Sequence, residues 1–134
     1  MRLTVKAIIS ITVLLLLASP LLIFVYIKTI NHRAETDIRS ALGLPAQPIT
    51  PDLIRANLYK QFPPAMAQPA LIQSLKTNSL FTQVSASDNK LTANIVYRTH
   101  FWPPCTEIMQ LQFYLDPPSQ NLKFIEVEFH ILAP

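Results

Sequence analysis

The sequence predicts an α+β protein in which a single N-terminal transmembrane helix is followed by a small domain of two helices packed on a three- to four-stranded antiparallel sheet. Three patterns predict this architecture. Residues 7–27 are apolar and uncharged, residues 51–77 repeat their apolar side chains with the period of a helix, and the remainder alternates with the period of a strand. Helices followed by a strand meander pack on the apolar face of the sheet.

The 134 residues divide into four predicted segments. Residues 1–6 form a cytoplasmic tail, residues 7–28 the transmembrane helix, residues 29–50 a juxtamembrane segment and linker, and residues 51–134 a small extracytoplasmic α+β domain. The roughly 85 residues of that domain are enough for one small hydrophobic core.

The apolar run is bracketed by Lys6 and Lys28. As a helix it would extend about 31 Å, which matches the hydrocarbon thickness of a bilayer. A cleaved secretory signal is the alternative, but its apolar core usually has about 7–15 residues and ends at a small-x-small site. Here the apolar residues resume after Ser19-Pro20, so an uncleaved anchor is predicted. Its membrane-spanning residues include Ala7, Leu14, Pro20, Phe24 and Ile27.

Lys and Arg residues are nearly balanced on the two sides of the anchor, so their distribution does not determine its orientation. The position of the anchor near the N-terminus is the remaining signal. A tail of a few residues before a long first apolar segment is typical of a signal anchor. We therefore expect a single-pass protein of the bacterial inner membrane, with its N-terminus in the cytoplasm and its C-terminal domain in the periplasm.

The net charge of +3 comes from the anchor flanks, where Arg2, Lys6 and Lys28 lie. After Lys28 the basic and acidic residues are equal in number, and no clustered basic face is visible, so no nucleic-acid binding is predicted. The single glycine, Gly43, excludes glycine-rich phosphate loops. The single cysteine, Cys105, excludes an internal disulfide and a multi-thiolate metal site.

Two helices are predicted before the strands. Thr50-Pro51-Asp52 combines a hydroxyl N-cap, a proline at the first helical position and an early acid, and that helix ends at Phe62-Pro63-Pro64. A second helix is predicted from about Ala67 to Thr77, with Asn78 as a left-handed terminator. Upstream, the first half of residues 29–50 continues the anchor helix before Gly43 and two prolines end it. The predicted apolar stripes are Leu53, Ile54 and Leu58 in the first helix and Leu71, Ile72 and Leu75 in the second.

Strands are predicted from residue 81 onward, starting with a short one at Phe81–Ala86 and a turn at Ser87-Asp88-Asn89. Three longer runs then alternate apolar and polar residues, as in strands with one buried face. The predicted inward-facing residues are Leu91, Ala93, Ile95 and Tyr97, then Met109, Leu111, Phe113 and Leu115, then Ile125, Val127, Phe129 and Ile131.

This order of elements resembles the small envelope domains of the BamE/SmpA-like type over about residues 51–132. The residues that carry the resemblance are Phe62-Pro63-Pro64, Leu71, Leu75, Phe81, Phe113-Tyr114-Leu115-Asp116, Leu122, Ile125 and Val127. Ala65-Met66 stands where the family has glycine and a hydroxyl cap, and the family's lipobox cysteine has no counterpart. The resemblance implies a scaffold that binds other proteins rather than an enzyme.

No constellation of residues predicts catalysis. Cys105 near His100 lacks a visible third group to orient the base, and it is predicted to be a small buried hydrophobe. Glu126, Glu128 and His130 share one strand face, as on a solvated or protected edge. We therefore predict no catalytic residue, no metal and no cofactor.

The segment between the first and second of the three longer strands is aromatic and proline-rich. It contains Phe101, Trp102, Pro103 and Pro104, a composition found at protein interfaces, and these residues are the predicted partner contact. Alternatively, the two aromatic rings cap the end of the sheet.

The predicted function is that of an accessory or assembly subunit of an envelope or membrane protein complex, acting by protein–protein docking. Its predicted partners are the lipid bilayer and other membrane or envelope proteins. An extracytoplasmic domain that binds a small ligand or peptide in the cleft between helices and sheet is the alternative.

Overall fold

The computed structural model describes residues 4–133 and has three helices followed by four strands. Residues 1–3 of the predicted tail, and Pro134, lie outside the described residues. The elements are α1 (Val5–Leu42), α2 (Pro51–Gln61), α3 (Gln68–Thr77), β1 (Thr82–Ser87), β2 (Lys90–His100), β3 (Cys105–Leu115) and β4 (Leu122–Leu132). The strands form one antiparallel sheet in the order β1-β2-β3-β4. The predicted α+β class, with two short helices and a four-stranded sheet, is confirmed.

Helix α1 is one continuous helix of 38 residues. Its N-cap is Thr4, whose hydroxyl accepts a hydrogen bond from the N–H of Ala7. It ends at Gly43, which has a φ of 62° in the left-handed region that glycine adopts without strain. The Gly43 N–H donates to the carbonyl of Arg39. The helix therefore includes all the residues predicted to span a membrane and continues well beyond them.

The first half of residues 29–50 continues the anchor helix to Leu42, as predicted, and it also contributes side chains to the core of the domain. Ile38 and Leu42, four residues apart on one side of α1, are almost completely buried in the hydrophobic core. Leu44 and Ile49, in the connection to α2, also pack partly against that core. The hydrophobic core therefore includes residues on both sides of the predicted boundary at residue 51.

Helices α2 and α3 largely follow their sequence signals. The Thr50 hydroxyl accepts a hydrogen bond from the N–H of Leu53, as an N-cap does. Helix α3 begins beside Pro69 without a side-chain cap. It ends differently from the prediction, since Asn78 is extended and its side-chain oxygen accepts a hydrogen bond from the N–H of Leu80. A side-chain turn thus replaces the left-handed terminator.

The core lies between the helices and one face of the sheet. Phe113 is fully buried at its centre, with its ring edge-on to Phe62 at a centroid distance of 5.5 Å. The ring of Phe62 also packs edge-on against Phe81. The predicted inward-facing residues of β2 and β3 are buried here, apart from the half-buried Tyr97: Leu91, Ala93, Ile95, Met109, Leu111, Phe113 and Leu115.

The predicted inward face of β4 is buried only along its first half. Ile125 and Val127 are in the core, whereas Phe129 and Ile131 are 39% and 70% exposed. The reason is that β2, β3 and β4 extend past the layer formed by α2 and α3. There the Phe129 ring rests on Tyr97, at a centroid distance of 5.5 Å. One end of the sheet therefore projects beyond the core.

Candidate functional site

The projecting end of the sheet gathers exposed apolar side chains. Residues 101–104 form the turn between β2 and β3, where His100 pairs with Cys105. The end of β4 lies beside this turn, because Thr106 pairs with Leu132 and Glu107 pairs with Ile131. We call Phe101, Trp102, Ile131 and Leu132 the apolar tip; their exposed fractions are 51%, 86%, 70% and 48%.

A pair of hydrogen bonds ties the apolar tip to α1. The Asn31 side-chain amide donates to the Thr99 carbonyl at 2.9 Å, and the Thr99 N–H donates to the Asn31 Oδ1 at 2.8 Å. Strand β1 pairs with β2 only as far as Asn94, so the backbone edge of β2 beyond that residue lacks a neighbouring strand. The Asn31 amide presents the donor and acceptor that a strand would present, and it thereby fixes α1 against the end of the sheet.

A cleft of about 590 Å³ lies between α1 and the β2–β3 turn. Its helix side includes Phe24, Ile27 and Lys28, and its sheet side includes Phe101 and Trp102. In α1 these helix residues mark the place where the apolar run ends and charged residues begin. Phe101 and Trp102 of the apolar tip are therefore level with the end of the apolar run.

Charged groups of both signs surround this cleft. His32, Glu35, Arg98 and His100 also line it. Glu35 forms an ion pair with Arg39 at 2.8 Å, and His100 Nε2 lies 3.1 Å from the carboxylate of Glu107. Within residues 4–133 no group of three or more His, Cys, Asp or Glu side chains could hold a metal ion. The arrangement can attract charged groups but does not assemble a ligand set.

Cys105 is half-buried rather than buried as predicted. It lines a smaller cleft, of about 390 Å³, together with His100, its cross-strand partner. His100 bonds to Glu107, but the described hydrogen bonds include none between the thiol and an imidazole. A cysteine nucleophile needs that contact with a base, so the geometry does not assemble one.

The acidic residues of β4 each have a different neighbour. Glu126 accepts a hydrogen bond from the Tyr114 hydroxyl, and Glu128 lies 3.1 Å from His130 Nε2. Partial burial, followed by the hydrogen bond to Glu126 and the charges of both glutamates, raises the pKa of Tyr114. The Tyr114 ring in turn stacks on Phe124 at 4.4 Å. The side chains on this face of the sheet are therefore held by local contacts, and the two carboxylates bond to different partners.

The structure brings together two groups of residues that were predicted separately. Phe24 and Ile27, predicted to span the membrane, line one cleft with Phe101 and Trp102, the predicted partner contact. Ala7, Leu14 and Pro20 lie further along the apolar part of α1.

Sequence reasoning missed Asn31. Its only signal is a weak stripe with Ile27, Ile38 and Leu42 along one side of the helix. It also missed the exposure of Ile131, for which no local signal exists, because its alternation is that of a buried strand.

Comparisons with protein families, with curated proteins and with solved structures found no match. The resemblance of residues 51–132 to BamE/SmpA-like domains therefore stays a prediction.

Proposed function

We propose that this protein is a single-pass membrane protein whose domain is held at the bilayer surface, where it acts as an accessory or assembly subunit by docking onto another membrane protein. The observation that carries the proposal is the composition of α1. Within the described residues it is the one helix long and apolar enough to cross a membrane. No residue of its most apolar 18-residue stretch is buried, whereas its second half packs into the core.

The exposed half of α1 is the argument for a membrane. Its large apolar residues are exposed, Leu14 by 68% and Phe24 by 62%. Transfer of one such side chain out of water is worth about 1.5–3 kcal/mol, so the row as a whole strongly favours an apolar surrounding. A bilayer supplies that surrounding over a length of about 30 Å. We place the N-terminus in the cytoplasm and the domain in the periplasm of a bacterial cell.

The continuity of α1 supports a docking role. A helix without a break between anchor and domain holds the domain at one height above the bilayer. Tethering of this kind raises the effective concentration of the domain for a neighbouring membrane protein, so that a weak contact becomes sufficient.

The part of β4 between Ile125 and the apolar tip, residues 126–130, supplies the proposed docking edge. The Ile125 N–H donates to the Tyr59 hydroxyl at 2.9 Å, and the loop before α3 bonds to Leu122. After Ile125 no hydrogen bond to the outer edge of β4 is among those of residues 4–133. An open strand edge accepts an extended segment of a partner by strand addition.

Site-specific photo-crosslinking in native membranes tests the docking edge. A photo-reactive residue at Glu128, which is half exposed on β4, should crosslink to one membrane protein. The same residue at Ser87, exposed on the opposite edge strand β1, should not. Mild-detergent purification followed by mass spectrometry should recover the same protein in a fixed ratio. Recovery of the chain alone, with no crosslink at Glu128, would contradict the docking role.

A second candidate is a domain that binds a small ligand or peptide, favoured by the cleft between α1 and the β2–β3 turn. This is not the cleft expected from the sequence, because core side chains fill the space between α2, α3 and the sheet. Lys28 and Arg98 would favour an anionic ligand there. A saturable increase in Tm with such a ligand, without any protein partner, would support this candidate.

A further inference from the structure

We infer that the apolar tip is a second membrane contact, which places Phe101 and Trp102 in the lipid headgroup region beside the point where α1 leaves the bilayer. The inference rests on the proposed membrane anchor and deepens it by assigning the tip to lipid. The domain then touches the bilayer at two places, the helix and the β2–β3 turn.

The height of the tip follows from its attachment to α1. The hydrogen bonds between Asn31 and Thr99 hold the end of β2 against the helix, and the cleft brings Trp102 opposite Phe24 and Ile27. Phe24 lies about 4.5 Å along the helix axis from Ile27, the last apolar residue before Lys28. Trp102 is thus within about one helical turn of the boundary between the apolar run and the charged residues.

The composition of the tip suits that height. Outside α1, seven large apolar side chains of the described residues are exposed, and four of them are in the tip. Tryptophan is enriched at membrane interfaces because its ring is apolar while its N–H remains hydrated. Pro103 and Pro104 already restrict the backbone of the turn. Insertion of the turn into the headgroup region therefore costs little additional conformational entropy. Trp102 is 86% exposed, so transfer of its ring from water to the membrane interface is favourable.

Charges around the tip favour a surface with anionic lipids. Lys28 and Arg98 line the cleft beside Trp102, as do His32, Glu35 and His100. Glu35 is neutralised by Arg39, and Glu107 lies against His100. The cations next to the tip thus remain available to phosphate groups of lipids at the same depth.

Two attachment points would restrict how the domain turns. A single helix allows rotation about the bilayer normal and tilting, whereas a helix and a turn define a plane. The docking edge of β4 would then keep one inclination toward membrane neighbours.

The fluorescence of Trp102 tests the inference, because Trp102 is the only tryptophan of the chain. The full-length protein is reconstituted into vesicles of phosphatidylcholine and phosphatidylglycerol that contain nitroxide-labelled lipids. We expect a greater loss of Trp102 emission with the nitroxide on the headgroup or high on the acyl chain than with the nitroxide near the bilayer centre. We also expect a blue-shifted emission maximum and weak quenching by aqueous iodide.

The matched control is the double variant W102F/F124W, which moves the tryptophan to the opposite end of the sheet. Phe124 is 37% exposed and pairs with Tyr114, far from the β2–β3 turn. Its emission should be insensitive to the labelled lipids and more sensitive to iodide. A larger lipid quenching of Trp102 than of this control supports the inference.

Two results would overturn the inference while leaving the anchor intact. In the first, iodide quenches Trp102 and labelled lipids do not, which would place the tip in water. In the second, neither quenches it, which would place the tip in a contact between protein molecules. Resistance of the reconstituted chain to alkaline carbonate extraction tests the anchor separately, so that loss of the chain from the vesicles would count against the proposed function itself.

Discussion

At the scale of single residues, the side chain of Asn31 connects helix α1 to strand β2. Its amide satisfies both the N–H and the carbonyl of Thr99, and it thereby links the helix to the unprotected edge of β2. An apolar side chain at this position would leave both backbone groups without a partner in a half-buried environment. Such groups cost more than an ordinary hydrogen bond contributes.

We expect Asn31→Ala to lower the free energy of unfolding of the full-length protein by about 1–3 kcal/mol, since it leaves partly buried backbone groups unsatisfied. Chemical denaturation in detergent micelles measures the loss. Hydrogen exchange of the Thr99 amide should accelerate at the same time. Asp37→Ala on the exposed side of the same helix is the control, and it should change neither quantity. Equal effects of the two substitutions would argue against the link.

At the scale of elements, the informative feature is that α1 belongs to two environments. Its first half is apolar on all sides, while its second half contributes Ile38 and Leu42 to the core. The end of β2 also lies directly against α1, to which the Asn31–Thr99 hydrogen bonds attach it. The position of the apolar tip therefore depends on the length of α1 and on the length of the strands that extend toward it.

We expect the fragment 29–134 to fold as a soluble domain and the fragment 51–134 to fail. Removal of residues 29–50 uncovers the core where Ile38 and Leu42 lie. Loss of a single large buried side chain costs about 2–5 kcal/mol, and total stabilities of small domains are of similar size. Cooperative thermal unfolding, followed by circular dichroism, distinguishes the two fragments. A cooperative transition of similar Tm in both would restore the boundary at residue 51.

At the scale of the whole molecule, the proposed topology places the two ends of α1 on opposite sides of a bilayer. Since Cys105 is the single cysteine, a Cys105→Ser background provides a chain in which one new thiol reports its own compartment. Ser87 is exposed in the domain, and Thr4 is the N-cap at the other end of α1.

In intact cells, a membrane-impermeant maleimide should label Ser87→Cys fully and Thr4→Cys only after permeabilisation. The reason is that the charged flanks of an anchor do not cross the apolar core of a bilayer once the helix is inserted. The reverse labelling pattern would show that the domain lies in the cytoplasm, with α1 still spanning the membrane. Labelling of both positions in intact cells would contradict a spanning helix.

The sequence by itself determined the features that depend on neighbouring residues along the chain. These are the apolar run, the start of α2 at Thr50-Pro51, the end of α1 at Gly43, and the alternation that gives each strand its two faces. Only the tertiary structure decided which of those faces are covered. Ile131 was predicted to face inward and is exposed, and Ile38 is buried although it precedes the predicted domain. The local pattern tells which way a side chain points and not what lies opposite it. That depends on how far α1, α2 and α3 extend over the sheet, and it is these lengths that bring Trp102 beside the end of the apolar run.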